Sequence, residues 1–349
     1  MSTALAAAVL VAVLPWPAAG TPRPPVEAHE RARPPQITAD SWILYDVDAG
    51  AVLAEHNSRQ RRPMASVTKL MSALVASERS SPDELVVISE HAAATGEAEI
   101  GLVPGEMWSI QELLTAMMVR SGNDAAVAVA EHVGGSVASF AGLMNERADE
   151  LGMGDSHFLN PHGLDVDGHY TTAYDLMLLA VTALDDPVLG PMMRTHSVKF
   201  RPDPEGKVRR ATNTNRLLGV YPGIIGMKTG FTSHAGRVLI SAAEHGDRRL
   251  VAVVMASEDH FADSRRLLDY GFRTHGPGDI LLAPLAVQEG GGGQVASAAV
   301  PDWLRVRIAS VPALDNGRWA TTPPLSTPLG AALRERFESL LPDLGAGDG

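Results

Sequence analysis

The sequence predicts an α/β domain in which one antiparallel sheet is built from the two ends of the domain and a lobe of helices is inserted between them. Three observations predict it. Paired apolar runs separated by turn residues occur at 42–55 and again at 237–256, the long middle carries helical spacing, and a last amphipathic segment follows the second pair.

Taken in order, residues 42–46 and 51–55 are apolar runs around Val47-Asp48-Ala49-Gly50, which reads as a hairpin. Pro63 then precedes a helix with Ser66 at its mouth and Leu70, Leu74 and Val75 at helical spacing. Residues 113–133 are dense in Ala, Met, Leu and Val, but Arg120-Ser121-Gly122-Asn123-Asp124 interrupts them. A glycine there divides one long helix into two and leaves Ser121 and Asn123 on the connection. Residues 136–151 read as another helix, Asn160-Pro161-His162-Gly163-Leu164 as a loop, and Thr172 as the cap of a helix with Asp175, Leu176, Leu179 and Ala180. Residues 237–243 and 249–256 flank His245-Gly246-Asp247 as a second hairpin, and 263–272 forms a closing helix over the sheet.

Outside this domain, assigned to 37–275, the chain changes character. An apolar run at 4–14 followed by Ala18-Ala19-Gly20 reads as a signal peptide over 1–20, although no Lys or Arg precedes the run; export to the cell wall, periplasm or medium is the expectation. Residues 21–36, rich in Pro, Arg and Glu, read as a linker. The short C-terminal region, 276–349, holds a glycine run at 290–293, a strand-like stretch at 303–308 and a helical stripe of Leu329, Leu333, Phe337 and Leu341. The mixed charges of Arg334, Glu335, Arg336 and Glu338 suit docking on the protein's own surface better than on a membrane.

Composition narrows the chemistry. A net charge of −12 and a pI near 5.4 argue against a nucleic-acid partner. With no cysteine there is no disulfide or thiolate site, and the 12 histidines include no His-x-x-x-His or His-Glu-x-x-His pair, so neither metal nor cofactor is expected. His162, His234 and His260 are left as histidines to place, His162 as a loop hydrogen-bonding residue.

The residues that suggest catalysis begin with Ser66-Val67-Thr68-Lys69. Positions i and i+3 share a helix face, so the Lys69 amine can lie against the Ser66 hydroxyl and activate it, provided burial or a second cation lowers the amine's pKa. Of the 29 Lys and Arg residues only Lys69, Lys199, Lys207 and Lys228 are lysines. Arginine cannot serve as a titrating base, so a lysine kept at this spacing in an arginine-rich chain points to chemistry.

Two further motifs follow in order, Ser121-Gly122-Asn123 and Lys228-Thr229-Gly230. With these three, and with Gly226-Met227-Lys228-Thr229-Gly230-Phe231-Thr232-Ser233 as the most specific piece, the chain from about 37 to 272 resembles the serine D-Ala-D-Ala carboxypeptidases among the low-molecular-weight penicillin-binding proteins. The resemblance implies a β-lactamase/DD-peptidase-like sheet flanked by helices. It also implies Ser66 as acylated nucleophile, Lys69 as its base, Ser121 as a proton relay to the leaving amine, and Asn123 as holder of the substrate amide and of Lys69. Lys228 and Thr229 would face the terminal carboxylate, Gly230 would let the strand lie close to the substrate, and the N–H groups of Ser66 and Phe231 would form the oxyanion hole. The implied partners are stem peptides of peptidoglycan ending in D-Ala-D-Ala, and β-lactams.

Two departures stand out. Relatives often carry an arginine after the last hairpin that helps hold the carboxylate; here Glu258-Asp259-His260-Phe261 occupies the place, so either His260 replaces it or the contact is absent. The C-terminal region is short for a β-rich domain with a membrane-binding helix. A D,D-endopeptidase uses the same machinery and is an alternative. A β-lactamase lacks support because no Glu-x-x-Leu-Asn segment is present, and a catalytically idle wall-binding module is the alternative outside enzymes.

Overall fold

The first hairpin forms as β1 (Ser41–Asp46) and β2 (Ala51–His56), antiparallel with a bulge between Leu44 and Tyr45. The computed structural model describes residues 33–274; the expected leader, most of the linker, and the C-terminal strand and helix lie outside the described residues. A 3-10 turn, Ala65–Val67, leads into α1 (Thr68–Arg79). There follow β3 (Leu85–Val87), α2 (Glu90–Ala93), β4 (Met107–Ser109), α3 (Ile110–Val119), α4 (Asn123–Gly134), α5 (Val137–Leu151), α6 (Ala173–Leu184) and α7 (Leu189–Met193). The chain then returns to strands with β5 (Ser197–Pro202), β6 (Val208–Thr212), β7 (Ile224–Thr232), β8 (Gly236–His245) and β9 (Arg248–Ser257), and ends in α8 (His260–Thr274).

The main sheet has the order β2-β1-β9-β8-β7, so it is indeed assembled from both ends of the domain. Every neighbouring pair in it is antiparallel. Its central strands read as unbroken apolar runs because both faces are covered. Ile43, Val238, Ile240, Val251 and Val253 pack toward the helical lobe, while Leu44, Leu239, Leu250 and Val254 pack toward α8 with Leu267 and Leu268. Burying residues on both faces supplies most of the stabilisation, at about 1.5–3 kcal/mol for each large side chain.

Within the lobe, α1 is buried from Thr68 to Ala76, so it runs through the core rather than over it. The division at Ser121-Gly122-Asn123 occurs where expected: α3 ends at Val119 and α4 begins at Asn123, with Gly122 as its N-cap. Thr172 caps α6 by accepting a hydrogen bond from the Asp175 N–H at 3.0 Å. Two small sheets, β3–β4 and β5–β6, were not expected from the sequence and lie outside the main sheet. For the site, the decisive feature of this arrangement is that β7 is an edge strand whose open side faces the 3-10 turn.

Candidate active site

Ser66 stands in the 3-10 turn, one residue after Ala65, whose φ of 49° lies in the left-handed region. A non-glycine residue held there costs roughly 1–2 kcal/mol, so surrounding contacts must impose it. They do. The Thr68 hydroxyl donates to the Ala65 carbonyl at 2.8 Å, and Gly163, at φ +90°, lies so close that a Cβ on it would fall 1.9 Å from the same oxygen. Only glycine fits there, which gives the Asn160–Leu164 loop its role as the support of the serine turn.

Lys69 follows in the first turn of α1 and is fully buried. Its Nζ lies 3.0 Å from Ser66 Oγ, 2.7 Å from Asn123 Oδ1 and 2.7 Å from the carbonyl oxygen of His162. Burial pushes its pKa well below the usual lysine value, and the charge of Lys228 acts in the same direction, against smaller opposing contributions from Asp124 and Glu97. The Asn123 amide and the His162 carbonyl can only accept at these oxygens. A neutral amine therefore gives its two N–H bonds to them and leaves its lone pair toward the Ser66 hydroxyl.

The other side of the cleft is made by the α3–α4 connection and β7. Ser121 has a φ of 68°, a second strained position. Its hydroxyl accepts from Lys228 Nζ at 2.9 Å; the same amine also donates to the Thr229 carbonyl at 2.9 Å. Lys228 is fully buried, and burial brings its pKa down to about 7. Asn123 is fixed from below, since its Nδ2 donates to the Gly96 carbonyl at 2.9 Å. The buried carboxylate of Asp124 accepts the N–H groups of Ile100, Gly101 and Leu102, tying the neighbouring loop to the start of α4. Among the described residues, no carboxylate forms an ion pair with either amine, and the hydrogen bonds described above go to hydroxyl, amide and carbonyl oxygens.

Gly230 closes the gap between the two sides. A Cβ there would lie 3.1 Å from both the Ala65 Cβ and the Ser66 nitrogen, tighter than nearly all such contacts, so glycine lets β7 approach the serine turn this closely. Thr229 Oγ1 lies 2.6 Å from Thr214 Oγ1, and Phe231 is 66% exposed at the cleft rim. The structure thus brings together Ser66, Lys69, Ser121, Asn123, Lys228, Thr229, Gly230 and Phe231 from three separate parts of the chain.

Three features escaped the sequence reading. The main-chain carbonyl of His162 and the packing of Gly163 carry no side-chain signal, and Thr214 lies in a stretch without periodicity. The His162 ring itself is half-buried and accepts from the Leu164 N–H at 3.1 Å; its pKa is driven down to about 3, first by burial and then by Lys69. His260 opens α8, its ring 4.0 Å from that of Phe261, and its buried Nδ1 has no hydrogen-bond partner. Burial lowers its pKa to about 4, with the charges of Arg237 and Arg216 acting the same way. His234 lies against Asp165, Nδ1 to Oδ2, at 3.4 Å.

The family model described as D-alanyl-D-alanine carboxypeptidase matches residues 28–259. The D-alanyl-D-alanine carboxypeptidase DacF of Bacillus subtilis is 37% identical over 242 residues, covering 67% of this chain and 62% of that protein. DacC of Escherichia coli, another D-alanyl-D-alanine carboxypeptidase, is 36% identical over 262 residues, covering 70% of this chain and 64% of its own. The chain therefore spans a little under two thirds of the length of these relatives. Among solved structures, penicillin binding protein 6B from Escherichia coli superposes with a TM-score of 0.65 at 34% identity, covering 70% of this chain and 80% of that one.

Proposed function

The chain belongs to the D-alanyl-D-alanine carboxypeptidase family, and from that premise we propose that it is a serine peptidase removing the last D-alanine from peptidoglycan stem peptides that end in D-Ala-D-Ala. The observation that carries this reading is the Lys69 amine, buried beside Ser66 with two fixed acceptors and no acid. Such an amine can be neutral and take a proton.

In the first step Ser66 Oγ attacks the carbonyl of the penultimate D-alanine while its proton passes to Lys69. The N–H groups of Ser66 and Phe231 hold the developing oxyanion, since Ser66 opens a helical segment and Phe231 lies on the free edge of β7. Ser121 accepts a hydrogen bond from Lys228, so its own hydroxyl proton is available to donate toward the leaving amine, and Lys69 can resupply it. Lys228 and Thr229 meet the terminal carboxylate. Asn123 holds both the substrate amide and Lys69. A water molecule then cleaves the ester, with Lys69, neutral again, as its base.

Penicillin, a β-lactam, would acylate the same serine. The apolar run at 4–14 supports export to the cell wall, periplasm or medium, where this substrate is found, with neither nucleic acid nor cofactor required. The test is D-alanine release from diacetyl-L-Lys-D-Ala-D-Ala, with mass spectrometry locating the penicillin adduct. Release by the wild type, none by Ser66→Ala, and an adduct on Ser66 are expected. An adduct elsewhere, or undiminished release by the variant, rejects the reading.

A further inference from the structure

Gly163 is not the only support of the serine turn. The buried imidazole of His169 lies 3.0 Å from Thr68 Oγ1 through its Nε2, and Thr68 Oγ1 in turn donates to the Ala65 carbonyl. We propose that His169 is a positioning residue for the acylation step, aiming the Ser66 N–H of the oxyanion hole through Thr68 and the Ala65–Ser66 peptide. This rests on the reading above and adds to it a residue outside the three motifs.

The direction of each bond in the chain is fixed. The Leu159 N–H donates to His169 Nδ1 at 3.0 Å, so that nitrogen carries no proton and the neutral ring holds it on Nε2. Burial keeps the ring neutral by lowering its pKa to about 4; the charge of His157 acts the same way, and that of Asp165 opposes it. Nε2 therefore donates to Thr68 Oγ1, whose own proton is committed to the Ala65 oxygen at 2.8 Å. The ring is held in turn. Its main-chain N–H donates to the Val166 carbonyl at 3.0 Å, and the Phe158 ring packs against it edge to face, 6.0 Å between centroids.

The last link is covalent. The Ala65 carbonyl and the Ser66 N–H belong to one planar trans peptide and point in opposite directions, so an anchored oxygen fixes where the N–H points. That nitrogen faces β7, since a Cβ on Gly230 would lie 3.1 Å from it. Ala65, at a φ of 49°, is strained, and the strain would relax by turning this plane if the oxygen were released. Two donors hold the oxygen, the Thr68 N–H and the Thr68 hydroxyl, and the hydroxyl is the one that His169 orients. Each donor in the series also polarises the next, which makes the Ser66 N–H a stronger donor when the chain is complete. An oxyanion develops only in the chemical step, so the effect falls on the acylation rate and not on the binding that precedes it.

The experiment separates the dissociation constant for penicillin from the acylation rate constant by stopped flow, comparing His169→Phe, Thr68→Val and Thr68→Ser with the wild type below their melting temperatures. His169→Phe and Thr68→Val are expected to slow acylation on the order of 10- to 100-fold with binding changed by no more than about twofold, the pattern of a misaimed oxyanion donor. Thr68→Ser keeps the hydroxyl and should recover most of the loss. The double variant His169→Phe with Thr68→Val should be no slower than Thr68→Val alone, because both break one chain. Losses that multiply in the double variant, or that fall on binding instead of rate, overturn the proposal. The nitrogen-15 spectrum of the wild type should place the His169 proton on Nε2; a proton on Nδ1 overturns the proposal whether or not any variant folds. Failure of the underlying reading looks different, because then penicillin does not acylate Ser66 in the wild type.

Discussion

Each side of the cleft presents a fully buried lysine, and the two are held in different ways. On the helical side, Lys69 touches three oxygens, two of which, Asn123 Oδ1 and the His162 carbonyl, only accept, the third being the Ser66 hydroxyl. On the sheet side, Lys228 touches the Ser121 hydroxyl and the carbonyl of Thr229, with burial alone lowering its pKa to about 7. The charge of Lys228 also acts on Lys69, and because that repulsion is mutual the two amines cannot both carry a proton cheaply. The amine beside the nucleophile is the one whose two N–H bonds have fixed acceptors when it is neutral. The difference teaches that burial makes a titrating lysine, but the acceptors around it decide whether it works as a base or as a cation for an incoming anion.

The largest effect is expected from Lys69→Arg, which retains charge and removes the base. Acylation by penicillin should fall on the order of 10³-fold or more, with circular dichroism showing the fold intact. Normal labelling would erase the distinction between the two lysines. Next, Gly163→Ala strikes the loop that supplies the His162 carbonyl to Lys69, where a Cβ would fall 1.9 Å from the Ala65 oxygen. A loss of about 3 kcal/mol in denaturant unfolding is expected, together with slower acylation.

Thr229→Val sharpens the other side. It should weaken peptides with a free terminal carboxylate about tenfold in kcat/KM relative to their amides, since a hydrogen bond to a charged group is removed. Equal losses on both substrates would take Thr229 out of that role. A further effect is on the pH dependence of stability. Lys228 binds its proton less tightly when folded, at about 7 against 10.5, so between those values the unfolded chain holds more protons and stability rises with pH. Below about 7 the cost of the buried charge is present in full. In Lys228→Met the rise between about pH 7 and about pH 10 should be shallower than in the wild type, read from denaturant midpoints, with the remainder due to Lys69.

Much of this was legible in the chain. The outer hairpins, the division at Gly122 and the cap at Thr172 were readable because each has a local cause: apolar alternation, a helix-breaking glycine, a hydroxyl before a helix. Ser66, Lys69, Ser121, Asn123 and Lys228 were readable as short motifs, and the structure brings them together. The full extent of β7 was harder to see, because Gly226, Lys228 and Gly230 weaken it as a strand taken alone. Those glycines serve tertiary approach: a Cβ on Gly226 would fall 2.1 Å from the Met193 oxygen, as one on Gly230 would crowd the serine turn. The 3-10 turn was unreadable for a similar reason, since nothing about Ala65 predicts a positive φ and the cause lies a hundred residues away in Gly163. β3–β4 and β5–β6 are short pairs whose formation depends on the surrounding chain.

The most direct measurement is the pH profile of the second-order rate at which penicillin acylates Ser66. If Lys69 is the neutral base, the rate falls on the acid side with an apparent pKa well below 10.5, and Lys69→Arg has no measurable limb because it does not acylate. A profile that rises only near the pKa of an ordinary lysine, or one that persists in the arginine variant, would contradict the account.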